Sequence, residues 1–293
     1  MARLSFIFVS LSILLLSSSA FANCLKDNEI EHLVSHFPDK PVGNLDEIES
    51  LDDAYCIQGK YVQMLSQHLG KEEGKIVGYK IGFTGKAGQE KFGISGPAFG
   101  VLMEGMFLQN HSEISANFGF RPMIEPDLMV TVKDESIMSA TSLMDVAKSL
   151  DMIFAFIEMP TIQFPFNKPF DSHQLVALNV AATKMVLGDG IKVEPTQAFL
   201  DKLAQATTEF TDSTGKMIQA APVKNLMDHP FNAVLWLVNE LKRHGKSLQK
   251  GDRISLGAVG KLFPLANETR TYNYSINGLS ETPLQAAITV KAV

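Results

Sequence analysis

Three carboxylates and one lysine carry the chemistry this sequence suggests. Glu125 and Asp127 stand two apart in the run Ile124-Glu-Pro-Asp-Leu-Met-Val130. Strand side chains alternate, so both carboxylates project from one face while Ile124, Leu128 and Val130 occupy the other. Pro126 between them cannot donate to a ladder and marks an edge or a bulge. Glu158 is the lone charge in the apolar run Ile153-Phe-Ala-Phe-Ile-Glu-Met159. A buried ionised carboxylate is costly unless it is paired or bound to a metal. Three acids without a histidine partner suit a hard cation, Mg2+ first, with Mn2+ or Ca2+ behind it. Three protein ligands leave coordination positions open for substrate oxygens and water, as Lewis-acid catalysis needs. The same residues also read as two solvated strand carboxylates and a glutamate paired with a lysine, and spacing alone does not choose.

Lys80 lies between Tyr79 and Ile81 in a strand flanked by Gly78 and Gly82. A lysine so placed holds a carboxylate, or moves protons if its pKa is lowered; an exposed strand lysine is the plainer alternative. The glycines at 78, 82, 85 and 88 lack phosphate-loop spacing, so no dinucleotide site is expected. No Ser-His-Asp arrangement follows from the spacing, and His229, beside Asp228 and Pro230, reads as part of a helix start.

The elements that must position these residues are legible in outline. Ser50 with Asp53 three residues on resembles a capping box. Ala54, Ile57, Tyr61 and Met64 or Leu65 then fall near one helical face, which Gly70 ends. Ile76 to Phe83 reads as a glycine-punctuated strand, Ile124 to Val132 as an alternating one, and Met152 to Met159 as a buried one. Asp145 to Leu150 and Leu175 to Ala182 read as short helical or irregular pieces. Phe231, Val234, Leu235, Val238 and Leu241 recur at helical spacing, with Asp228 as the expected cap and Pro230 in the first turn. Arg253 to Leu256 follows a Lys250-Gly-Asp turn as a strand. Strands over Thr271 to Ile276 and Ala286 to Val290 are expected around the Asn277-Gly278 turn. A soft boundary falls between Lys80 and Lys86.

The first residues read differently. Arg3 precedes an apolar stretch, Leu4 to Leu16, and three serines lead to Ala20-Phe21-Ala22. Residues 1–22 therefore read as a secretory signal peptide with a mature start at Asn23, and export to the periplasm or beyond follows. After its removal no stretch is long and apolar enough for a membrane span. Cys24 and Cys56, the two cysteines of the chain, can pair in an oxidising compartment or stay as free thiols. Hydrophobic residues at 45% and charged residues at 20% predict a sizeable core. A formal net charge of -6 without a basic cluster gives no electrostatic reason to bind nucleic acid.

Several motifs then converge on one family. The run Gly78-Tyr-Lys-Ile-Gly-Phe-Thr84 is followed by Phe99-Gly100-Val101-Leu102, then Ile124-Glu-Pro-Asp127, then Glu158. Asp53-Ala-Tyr-Cys-Ile-Gln58 lies upstream; His229-Pro-Phe-Asn-Ala233, Lys250-Gly-Asp252 and Gly257-Ala-Val-Gly260 lie downstream. In this order, across residues 45 to 293, the chain resembles the 2-oxopent-4-enoate hydratase branch of the fumarylacetoacetate hydrolase superfamily.

The resemblance implies an α/β protein of the α+β type. A helical N-terminal portion, residues 23–82, would precede a mixed β-roll catalytic domain, residues 83–293. It implies Glu125, Asp127 and Glu158 as ligands of Mg2+ or Mn2+, with Asp127 shorter than the usual glutamate. It implies Lys80 as the active-site lysine and Phe99, Gly100, Val101, Leu102 and Gly257 as substrate contacts. The expected partner is a small 2-oxo acid, a 2-hydroxydienoate, to which an exported hydro-lyase adds water. Members often assemble as oligomers, so a homo-oligomer is implied as well.

Certain positions depart from the pattern. Ala98 stands where an acid/base aspartate is usual, Leu256 where a threonine meets the substrate carboxylate, and Gln163 where an arginine is expected. The glycine-rich stretch before His229 is missing. A lost proton-transfer or binding group often costs about 10²-fold or more in rate. A metal-dependent 2-oxo-acid binding protein and a decarboxylase or carbon–carbon hydrolase of the same superfamily are the alternatives.

Overall fold

The computed structural model describes residues 23–293 apart from positions 44 and 46. The expected signal peptide lies outside the described residues. Two helices, α1 (Asp27–Ser35) and α2 (Leu51–Leu69), precede the first strand, β1 (Ile76–Gly82). The Ser50 hydroxyl accepts from Asp53 N at 3.1 Å and starts α2, which buries Ala54, Ile57, Tyr61 and Leu65 along one stripe. Cys24 and Cys56 are joined in a disulfide that ties the segment before α1 to α2.

The helix α3 (Lys86–Phe92) leads to β2 (Ala98–Met103), and the short strands β3 (Phe107–Gln109) and β4 (Glu113–Ser115) follow. Next come β5 (Met123–Val132), α4 (Leu143–Ser149) and β6 (Leu150–Met159). After α5 (Ser172–Ala177) the chain forms β7 (Lys184–Lys192), α6 (Gln197–Gln205), β8 (Thr207–Asp212) and β9 (Met217–Pro222). The helix α7 (Pro230–Arg243) precedes β10 (Arg253–Ala258), β11 (Phe263–Pro264), β12 (Arg270–Asn277) and β13 (Leu284–Lys291).

The strands of the described residues make two sheets. The larger runs β2-β1-β10-β5-β6-β7-β3, with β11 added beside β5; the smaller runs β4-β13-β12-β8-β9. β1 pairs with β10 and β3 with β7 in parallel, while β2–β1, β10–β5, β5–β6 and β6–β7 are antiparallel, so the larger sheet is mixed. β1 ends at Gly82, where the sequence places its boundary, yet it is hydrogen-bonded on both sides inside this sheet.

Each face of the larger sheet covers its own core. Ile124, Leu128, Val130, Ile153, Ala155, Ile157, Ile254 and Leu256 pack with α4, α6, α7 and the smaller sheet. Met129, Phe156, Val101 and Leu102 face α1, α2 and α5 instead. This split is the alternation the sequence shows around Glu125 and Asp127.

Two local expectations are corrected. The cap of α7 is His229, whose Nδ1 accepts from Phe231 N at 3.1 Å. Asp228 sits at φ 66, a left-handed turn that takes it out of the capping position. Nor does Pro126 mark an edge, because β5 lies between β10 and β6. The irregularity falls on the partner: Met129 pairs with Ser255 but Asp127 with Ala258, so β10 carries an extra residue there.

Candidate active site

The alternation of β5 and the register with β6 bring the acids together. Glu125 is directly opposite Glu158, and Asp127 opposite Phe156, so all three carboxylates share the sheet face turned toward α2 and α5. Asp127 and Glu158 are fully buried and Glu125 half-buried. Lys80, also buried, joins them from β1: its ammonium pairs with Glu158 Oε1 and donates to Val180 O at 2.9 Å. β10 and β5 lie between β1 and β6. Laid flat, three strand spacings would separate those backbones by about 14 Å, so the sheet must curl for the two side chains to meet.

Asp127 is held from two sides, its Oδ2 by the Ser255 hydroxyl and its Oδ1 by its neighbour's amide, Leu128 N. Glu158 Oε2 is buried and has no hydrogen-bond partner among the described residues. Burial, with Glu158 beside it, pushes the Glu125 carboxyl up to about 8, against the pull of the Lys80 ammonium. Burial, together with Glu158 and Glu125, raises Asp127 well above the usual carboxylate range, against its bonds to Ser255 and Leu128. Three acids facing one ammonium leave a surplus of negative charge. Such a surplus is relieved by protonation or by a cation.

The donor set fits a hard divalent cation in chemistry: three oxygen-bearing acids, one with an orphaned buried oxygen. Among the described residues, however, no three acids, histidines or cysteines stand grouped as a metal site. Lys80 holds Glu158 and Ser255 holds Asp127. Both sequence readings are thus present in part, since Glu158 is indeed lysine-paired while Asp127 is no solvated strand residue.

A left-handed turn fixes the wall beside Lys80. Asn179, Val180 and Ala181 have φ of 57, 52 and 57, a conformation a β-branched residue keeps only when its surroundings enforce it. Asn179 Oδ1 accepts from Val101 N at 2.6 Å and its Nδ2 donates to Val101 O at 2.8 Å. Gly100 permits this approach, because a Cβ there would lie 2.6 Å from Asn179 O and 3.1 Å from Lys80 Cγ. Of the four β2 residues implied as substrate contacts, Gly100 lies against Lys80; Phe99, Val101 and Leu102 are buried. Phe99 stacks on Tyr55 at 4.6 Å, and its carbonyl accepts from Gln58 Nε2 at 2.9 Å. Gly257, at φ 99, brings β10 against Thr84 and Ile81 O.

The departures have structural counterparts. Ala98 is fully buried and offers no proton-transfer group. Leu256 turns into the core, and the hydroxyl on the site face is one position earlier, at Ser255. Gln163 is a clamp: its Nε2 donates to His36 O and Lys40 O at 2.9 and 3.1 Å. The sequence reading missed Ser255, Asn179 and the Val180 carbonyl. Alternation against Ile254 and Leu256 was a usable signal for Ser255; the left-handed turn has none.

No protein-family model matches the chain. It is similar to a 2-oxo-hept-4-ene-1,7-dioate hydratase of Escherichia coli, 27% identical over 225 residues, 73% of this chain and 79% of that protein. A 2-keto-4-pentenoate hydratase of Paraburkholderia xenovorans is 25% identical over 214 residues, 73% of this chain and 76% of that one. Among solved structures, a 4-oxalocrotonate decarboxylase of Pseudomonas putida complexed with magnesium and adipate superposes with a TM-score of 0.75 at 21% identity. That superposition covers 91% of this chain and 95% of the other. The resemblance read from the motifs and the fold it implies are both borne out: this chain is similar to 2-keto-4-pentenoate hydratases and shares the fold of solved fumarylacetoacetate hydrolase family proteins.

Proposed function

We propose that this chain is an exported, divalent-metal-dependent hydro-lyase acting on a small unsaturated 2-oxo acid, a 2-hydroxydienoate. The observation that carries the reading is the buried face on which Glu125, Asp127 and Glu158 gather with Lys80. Kinship with hydratases of such acids supports it. Glu125, Asp127 and Glu158 are the residues that would hold Mg2+ or Mn2+. Such a cation, when bound, would supply Lewis acidity to the 2-oxo acid.

The rest is done by the chain. Ser255 orients Asp127, and Val180 O orients the Lys80 ammonium. Lys80 brings a positive charge to the substrate carboxylate from a buried wall. Hydration consumes one water and forms one C–O and one C–H bond, so a proton is both taken and given. Lys80 is the proton carrier of the site that no cation would claim. Buried apolar residues of β2 and α5 pack beside this face and lower its polarity.

Decarboxylation is the second reading. Ala98 favours it, because release of CO2 leaves one carbon to protonate and needs no second acid/base group. Export is supported by the Cys24–Cys56 disulfide, a bond that persists in oxidising compartments.

The test is incubation of the purified protein with 2-hydroxypenta-2,4-dienoate, with and without Mg2+ or Mn2+, following dienoate absorbance and identifying the product. Metal-dependent turnover lost in Glu125→Ala establishes the lyase. Release of CO2 from a 2-oxo diacid selects the second reading. Metal binding without either reaction leaves a binding protein. Mass measurement of the protein recovered from the cell envelope tests cleavage before Asn23.

A further inference from the structure

One arginine has no acid to answer it. Among the described residues Arg243 pairs with Glu240, Arg253 with Glu104, and Arg270 with Asp212 and Glu268; Arg121 pairs with no carboxylate. It is half-buried, and its Nη1 donates to Phe164 O at 2.9 Å. Its guanidinium lies over Phe166 at 4.6 Å and 5.8 Å from Phe170. The backbone at Arg121 is left-handed, φ 46, a conformation uncommon away from glycine and held here by its surroundings. Its carbonyl accepts from Ile162 N at 3.3 Å, and the next residue, Pro122, bridges to Thr161.

Topology puts this arginine at the end of the sheet where the acids sit. β1 is parallel to β10, β10 antiparallel to β5, and β5 antiparallel to β6. The end of β1, the start of β5 and the end of β6 therefore coincide. Arg121 precedes Glu125 by four residues, about 13 Å of extended strand. Phenyl rings continue from the arginine to Lys80's strand. Phe170 stacks on Phe164 at 4.7 Å and meets Phe92 at 5.8 Å, and Phe92 meets Phe83 at 5.6 Å, three residues after Lys80. A guanidinium resting on rings keeps its edge N–H groups free for a planar carboxylate.

We propose that Arg121 is a second carboxylate-recognition point, which selects 2-oxo dicarboxylates over monoacids. The phenyl rings face the apolar carbon chain, and the arginine takes the far carboxylate. This rests on the reading of the Lys80–Glu125 face as the place that holds the 2-oxo-acid end. Arg121 is a specificity-determining residue and takes no part in the chemistry.

The experiment measures binding of adipate and of hexanoate by calorimetry, with Mg2+ present, to the wild-type protein, Arg121→Gln and Arg121→Lys. The wild type is expected to bind adipate at least about tenfold more tightly than hexanoate, the gain of one charge-assisted carboxylate contact. Arg121→Gln is expected to lose that preference through adipate alone, while Arg121→Lys keeps part of it. A wild type without the preference overturns the proposal, as does a variant that weakens both acids alike. Should Arg121→Gln fail to fold, Arg121→Lys carries the same comparison. A diacid preference in a protein that turns over neither 2-hydroxypenta-2,4-dienoate nor a dienoate carrying a second, distal carboxylate keeps Arg121 and removes the lyase; turnover without the preference does the reverse.

Discussion

Lys80 and Glu158, 78 residues apart in the chain, form a buried ion pair across the curl of the larger sheet, with side-chain exposures of 4% and 1%. Removing one partner of such a pair strands the other. Lys80→Met should therefore destabilise the protein by about 3–5 kcal/mol, and Lys80→Met with Glu158→Leu should recover most of that loss. Urea unfolding of the two variants beside the wild type checks this. Equal stability of the single and double variants would show that the pair contributes nothing of the kind.

The acids of this face make a pH prediction with a definite sign. Glu125 is raised to about 8, and Asp127 is raised well above its ordinary value, by burial and mutual repulsion. A carboxyl whose folded pKa is raised favours folding while protonated. That contribution is complete below its ordinary value, about 4.3 for a glutamate, and is lost as pH climbs to about 8. The metal-free protein should melt lower at pH 8.5 than at pH 5.5, and Glu125→Gln should flatten that dependence. Thermal melts in chelator decide it; a wild type that melts higher at pH 8.5 would contradict the sign.

Ser255 gives Asp127 one of its two hydrogen bonds, inside a fully buried setting. Ser255→Ala takes away the group that orients the carboxylate, and divalent-metal affinity should fall by about 10- to 100-fold. Titration with Mn2+ followed by electron paramagnetic resonance measures it. Unchanged affinity would mean that Asp127 needs no support from β10.

The parts of the fold legible in the sequence are those with strong local periodicity. β5 and β6 follow from alternation and from one apolar run, and α2 and α7 from apolar residues at helical spacing. What stayed hidden depends on distance and curvature. Nothing within ten residues of Lys80 announces Glu158 as its partner, because the pairing needs four strands and their curl. The run Asn179-Val-Ala181 sits in a left-handed turn that its β-branched centre disfavours; packing on Gly100 and Gly82 imposes it. The α7 cap went to His229 for a similar reason, since a left-handed turn at Asp228 moved the expected residue away. The candidate acids were found because a charge in an apolar run is conspicuous. Ser255, an ordinary strand residue, is not.

Gly100 tests whether the left-handed turn is what positions Lys80. An added methyl would meet backbone, Asn179 O at 2.6 Å, and that side cannot yield as a flexible side chain would. It would also press on Lys80 Cγ at 3.1 Å. Gly100→Ala should therefore cost about 1–3 kcal/mol, the range for overpacking a tight core. The strain has two outlets: β2 can part from the turn, breaking the Asn179–Val101 bonds, or Lys80 can shift from Val180 O. Either one moves the ammonium relative to Glu158. A drop in turnover larger than the stability loss explains, measured well below the melting temperature, is the expected result. Gly59, where an added Cβ meets nothing within 4 Å, gives the control, and Gly59→Ala should leave turnover as it is. If the two variants behaved alike, the turn would be a packing feature with no hold on the lysine.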